Sequence, residues 1–181
     1  MRQSDFPTFD SIVTTYDAIL ASGLNPQIRA AAESWYANAN LFANRLCDMR
    51  PDWTLEQSAS VISALSPRER WESNKAKALR FAQGLEIRGL GMNIRRAHNA
   101  ARDGFMALRG RKILAFALAI VGSPDAVVID TWMLKPLNWC SVTPAQYDIV
   151  CAAVATVAAK YRLTPRDAQA AIWIITRGAA E

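Results

Sequence analysis

LRGRKILAFALAIVGSPDAVVID, residues 108–130, is the stretch whose reading decides the fold. Gly110 marks a tight turn, after which Arg111 and Lys112 open a helix that runs apolar from Ile113 to Val121. Gly122 to Pro124 break it. A buried run, Ala126 to Ile129, then delivers Asp130 to the start of another helix. One lysine and one aspartate therefore each stand at a helix N-terminus, joined by mostly apolar sequence. The partial positive charge there favours a carboxylate and disfavours an ammonium, and a neutral lysine is a nucleophile.

Outward from this stretch the punctuation is helical throughout. Asp10 to Ala21 reads as a first helix with Gly23 just past its end, and Asn25-Pro26 starts a second that continues to about Met49. Thr54 with Gln57 forms a capping box for a helix ending at Leu65, and Ser66-Pro67 with Glu69 reads as another, for a helix ending near Gly84. Gly89 and Gly91 bracket a turn before the most basic helix, Met92 to Asp103. Beyond Asp130 a short helix ends before Pro136. Thr143-Pro144 with Gln146 starts a helix to Lys160, and Thr164-Pro165 with Asp167 starts the last, ending at Gly178. About nine helices, no strand run and no repeat make the class all-α.

Composition bounds the function. With 181 residues and 51% hydrophobic content, the chain suits one domain or two closely packed lobes. It has no apolar run of about eighteen residues, and MRQSDFPTFD lacks the layout of a signal peptide, so a soluble cytoplasmic monomer away from membranes is expected. Cys47, Cys140 and Cys151 are scattered and odd in number, which predicts free buried thiols. His98 is the single histidine; it excludes mechanisms needing two, and no metal or other cofactor is expected. Residues 68–112 hold twelve Lys/Arg against four Asp/Glu, a net +8 in a chain of net +5, leaving −3 elsewhere. Such concentration suits a polyanion; a solvated helical face is the plainer reading.

Three blocks carry a family resemblance. LRGRK supplies Lys112 and VVIDTW supplies Asp130 eighteen residues later; ISALSPRERWESNKAKAL begins at Ile62; GLGMNIRRAHNA begins at Gly89. Together they resemble the helix-hairpin-helix DNA glycosylase superfamily, in particular its endonuclease III branch, in which a hairpin lysine and an aspartate share that spacing. The hairpin is two residues shorter than the family pattern, with Arg109 where a proline sits. Trp132 replaces a histidine, and no cysteine follows Cys151, so an iron-sulfur cluster is not implied. In compactness the chain is similar to short bacteriophage-encoded members.

The resemblance implies a two-lobed fold for residues 1–181. One lobe spans 54–130 and holds the hairpin at 106–112; helices from both termini form the other, and Asp130 lies at the mouth of a cleft. It implies double-stranded DNA as partner, contacted by Arg95, Arg96, Arg109, Gly110 and Arg111. The extruded base would be held by Ser66, Trp71 and Trp132, while Trp35, Tyr36 and Trp173 read as plain core. Breaking an N-glycosidic bond builds positive charge on the sugar, which the Asp130 carboxylate would stabilise. Lys112 could attack C1′ and form a Schiff base, giving a lyase as well as a glycosylase, or water activated by Asp130 could do the displacement. Without the resemblance, Asp130 is an N-cap worth about 1 kcal/mol and Lys112 an exposed first-turn lysine. Two other readings of the same scaffold are group transfer onto modified thymine in phage DNA and a DNA-binding module without catalysis.

Overall fold

The computed structural model describes residues 6–178; residues 1–5, half of the MRQSDFPTFD opening, and residues 179–181 lie outside the described residues. Among the described residues the chain is all-α, with nine α-helices, two short 3-10 turns and no strand. The helices are α1 (Phe9–Gly23), α2 (Pro26–Met49), α3 (Leu55–Leu65), α4 (Trp71–Ala82), α5 (Gly91–Asp103), α6 (Arg111–Ile120), α7 (Thr131–Leu134), α8 (Pro144–Lys160) and α9 (Pro165–Arg177). None of them is long and apolar enough to cross a membrane.

The chain divides into two compact units. A terminal unit takes residues up to Trp35 together with those from Pro124 onward, and a central unit takes Tyr36–Ser123. The central unit thus begins before residue 54 and ends before residue 130, and Asp130 belongs to the terminal unit.

In the central unit α3 is the buried element: its residues Ser58 to Leu65 are all inaccessible. Small side chains make this possible, because α4, α5 and α6 all pack against it. Of the three buried serines, Ser58 and Ser63 have hydrogen-bond partners and the Ser60 hydroxyl has none. Ser63 donates its hydroxyl to the Ile113 carbonyl of α6, and Ser58 pairs with Cys47 of α2 at 3.2 Å. Asn74 of α4 donates to the Ile62 carbonyl at 3.1 Å. Both bonds of the Thr54–Gln57 capping box form.

In the terminal unit α8 is the centre. Val150, Ala153, Val154, Val157 and Ala158 are buried, and α8 packs against α1 and α9. Its Thr143–Gln146 capping box is also complete. Asp17 of α1 accepts from Lys160 Nζ at 2.7 Å and from the Tyr161 hydroxyl at 2.9 Å, and these two bonds hold its carboxyl below the ordinary carboxylate range.

The short helix after Asp130 does end before Pro136, at Leu134, and a 3-10 turn, Lys135–Leu137, follows it. Three sequence expectations are corrected. Glu69 does not cap a helix at Ser66: α4 begins only at Trp71, after Arg68 turns left-handed at φ 66°, and Glu69 instead accepts from Ser73 and Lys77. Cys140 is exposed and Cys47 and Cys151 are half-buried, so the three free thiols are not core residues. Gly23 does not lie past the helix end; it is the last residue of α1, and Leu24 is the cap. Its role is close approach, since a Cβ there would lie 2.7 Å from Ile175 Cγ2 of α9.

Gly to Ala inside a helix ordinarily stabilises by about 0.5–1 kcal/mol. For Gly23→Ala the reverse is expected, because the β-branched Ile175 has little freedom to retreat. Thermal unfolding should show a lower midpoint for Gly23→Ala and recovery in Gly23→Ala/Ile175→Ala.

Candidate functional site

Asp130 is placed by a segment that is neither helix nor strand. Ala126 to Ile129 are 4–7% exposed, so their peptide groups need partners without a helix or sheet to supply them. Tyr147 of α8 supplies two: its hydroxyl donates to the Val127 carbonyl at 2.8 Å and accepts from the Ile129 amide at 3.2 Å. The next residue, Asp130, is the N-cap of α7. Its Oδ1 accepts from the Trp132 and Met133 amides at 2.9 and 3.0 Å, and its Oδ2 accepts from Trp173 Nε1 at 3.1 Å.

The donors are themselves fixed. Tyr16, fully buried on α1, donates its hydroxyl to the Met133 carbonyl at 2.8 Å and so anchors the turn whose amides hold Oδ1. Burial first, then the neighbouring Cys151 and Asp130, push this phenol far above its ordinary range, so it remains a donor. Trp173 has Arg177 over its ring at 4.8 Å and Trp35 edge-on at 6.1 Å. It is half-buried, and its indole N–H serves Asp130, so the expectation of plain core fails for Trp173. Tyr36 is buried, edge-on to Phe116 in the central unit, as a core residue should be.

Beside the α7 turn lies an open groove of about 450 Å³ lined by Thr131, Trp132, Lys135, Asn138, Trp139 and Cys140. Trp132 is half-buried, with Lys135 Nζ 4.7 Å over its ring. Asn138 takes a left-handed conformation that closes the 3-10 turn.

The remaining predicted residues sit in the central unit. Lys112 is exposed in the first turn of α6, and no side chain caps that helix. Gly110 precedes it at φ 99°, ψ 135°, a conformation open only to glycine, with nothing within 4 Å of where a Cβ would stand. Arg95, Arg109 and Arg111 are exposed, and Arg96 is half-buried. Arg68, Arg70, Arg88, Arg95, Arg109 and Lys112 form no ion pair among the described residues. Lys75, Lys77 and Arg102, in contrast, are paired with Glu72, Glu69 and Asp103. Trp71 is half-buried with Phe42 and Phe116 edge-on to it at 6.0 and 6.4 Å. The Ser66 hydroxyl donates to the Ser63 carbonyl at 2.8 Å and finishes α3. Among the described residues no three His, Cys, Asp or Glu side chains gather as metal ligands.

Sequence reasoning missed Trp173, Tyr16 and Tyr147, the three side chains that aim Asp130. Each lies far from it along the chain, and no local spacing signals such a bond.

A hydrogen bond to a carboxylate contributes about 1.5–3 kcal/mol, less when half-exposed. A double-mutant cycle on Asp130→Ala and Trp173→Phe, followed by urea unfolding, should give a coupling of about 1 kcal/mol; additive effects would mean the indole bond contributes nothing. Because Tyr16 keeps its proton in the folded state while a free phenol loses it above about pH 10, stability should fall as pH rises past that value. Tyr16→Phe should remove that part of the alkaline loss.

No curated protein and no solved structure matches the chain. One family model does, over residues 10–180, and with nearly the whole sequence covered the chain belongs to DUF7178, a family of unknown function.

Proposed function

We propose that the chain is a DNA glycosylase, which binds duplex DNA through the cationic α5–α6 segment and releases a damaged or modified base at Asp130. The observation that carries this reading is the carboxylate with three fixed donors. Two of its oxygens' four lone pairs are taken on Oδ1 and one on Oδ2, which leaves Oδ2 a single open acceptor position. A half-exposed anion held so rigidly suits a reaction that builds positive charge nearby.

In that reaction the C1′–N bond breaks and its electron pair leaves with the base. The sugar becomes cationic, and Asp130 stabilises it without having to move. Water then adds to C1′, hydrogen-bonded to the open position on Oδ2 and giving up its proton there. In the alternative version the neutral Lys112 amine adds instead and loses a proton to water; the C1′–O4′ bond opens to give the Schiff base, and loss of a C2′ proton expels the 3′ phosphate and nicks the strand. The groove beside α7, with Trp132 and Trp139 in its lining, supports the reading too, since indoles hold an extruded base by stacking. So do the uncapped start of α6 and the Gly110 backbone, where a phosphate can approach closely.

Oligonucleotide duplexes each carrying one modified base would identify the substrate. On it, Asp130→Asn should lower base release by about 10²–10³-fold, the usual cost of losing a transition-state electrostatic partner, with DNA affinity kept. An Asn amide would also face Trp173 Nε1 donor to donor. Unchanged release in Asp130→Asn would end the proposal. Lys112→Gln decides between the versions: base release that survives it shows water as nucleophile, and borohydride trapping that disappears with it shows the amine.

Binding should weaken with salt at a log-log slope of about −0.9 per phosphate neutralised. Arg95→Glu/Arg96→Glu should reduce both the affinity and the slope. Affinity equal to the parent's at low and high salt would remove these residues from the interface.

A further inference from the structure

We propose that two neighbouring grooves of the central unit form a binding site for a free nucleoside polyphosphate, one taking the phosphates and the other the base. One groove, of about 410 Å³, is lined by Lys77, Arg80, Arg88, Glu86 and Ile87. The other, of about 640 Å³, shares Glu86 and Ile87 and adds Trp53, Phe81, Ile94 and His98 among its walls. Each volume suits part or all of a small ligand. The site does not depend on the reaction proposed for Asp130.

The partition between the grooves is fixed in place. α4 ends at Ala82, Gly84 turns left-handed at φ 72°, and the Gly84 and Leu85 amides bond back to the Phe81 and Arg80 carbonyls at 3.0 and 2.9 Å. One residue further on, the Glu86 carbonyl accepts from Arg80 Nε and Nη2 at 3.2 and 2.9 Å. Residues 84–86 are thereby tied to α4, and Ile87 is buried behind them.

The grooves differ in chemistry. In the first, Arg80 keeps Nη1 open, and among the described residues neither Arg80 nor Arg88 forms an ion pair. Lys77, bonded to Glu69, adds a third cation. Guanidiniums left with open donors suit phosphoryl oxygens. In the second groove both arginines are already spent, Arg50 on Asp52 and Arg102 on Asp103. That groove offers ring and aliphatic surface instead. Trp53 and Phe81 are buried in its wall, and His98, exposed and without a hydrogen bond among the described residues, stands edge-on to Phe81 at 4.7 Å.

A polyanionic head joined to a flat heteroaromatic body satisfies both halves. Glu86, common to the two, is an acceptor for the sugar hydroxyls that join head to body. Duplex DNA satisfies only the first half, because its base faces stay stacked inside and its phosphates meet the protein.

The test is calorimetric titration of the full chain with ATP, GTP, CTP and UTP, each compared with inorganic tripolyphosphate and with the matching nucleoside. The expected result is one-to-one binding of at least one triphosphate, about tenfold or more tighter than tripolyphosphate or its nucleoside, the usual effect of stacking one base. Arg80→Ala/Arg88→Ala should weaken triphosphate and tripolyphosphate alike by about tenfold or more, through lost charge-assisted bonds. His98→Ala should weaken the triphosphate severalfold and leave tripolyphosphate unchanged, which also shows that this variant is folded. A smaller preference for every triphosphate, parental affinity in Arg80→Ala/Arg88→Ala, or parental triphosphate affinity in His98→Ala overturns the site. So does a plain duplex that His98→Ala weakens as much as the triphosphate, since DNA would then fill both grooves. Triphosphate binding without base release on the modified-base duplexes removes the glycosylase reading and leaves this site standing.

Discussion

A stretch of backbone buried outside any helix or sheet must have its peptide groups satisfied one at a time, and the segment from Ala126 to Ile129 imposes that demand on the terminal unit. The Tyr147 phenol answers it with one donated and one accepted bond. Its placement explains why α8 is capped so firmly at Thr143, since a slip of that helix would withdraw the phenol. Tyr16 performs the matching task one turn further on, at Met133. Asp130 lies between these two anchored points and inherits its position from both.

The central unit follows a different principle. Its inner helix, α3, has small side chains along most of its length, so three neighbours can approach it closely. Close approach leaves hydroxyls and amides buried, and bonds such as Ser63 to Ile113 and Asn74 to Ile62 serve as register marks between helices. The start of the same helix also carries the turn before α6, where Glu56 Oε1 accepts from the Phe105 amide. Scaffold and presented surface are therefore mechanically one piece in this unit: what holds Ser63 also sets where Gly110 and Lys112 stand.

The helices were legible because their boundaries are written in local chemistry. Thr54, Thr143 and Thr164 each precede a helix and accept from its third residue, as their spacing to Gln57, Gln146 and Asp167 implies. The same logic misread Ser66, where the pattern was present but Arg68 took a left-handed conformation and delayed the helix to Trp71. Gly23 was misread for a related reason: a glycine near a helix end has two uses, and the one that applies depends on Ile175, remote in sequence. For the candidate site, Asp130 and its capping role could be read directly. Trp173 could not, because an indole on an amphipathic helix looks like core until the acceptor of its N–H is known.

Cys140 gives the groove beside α7 a further property. It is the exposed one of three free cysteines, next to Trp132 and Trp139 in the lining. An accessible thiol can join two molecules through a disulfide when the protein is handled in air. A dimer of that origin would cover the groove beside α7, so it would look like an oligomeric state of the protein itself. Reductant during purification, or Cys140→Ser, keeps that artefact out of any measurement of size or activity.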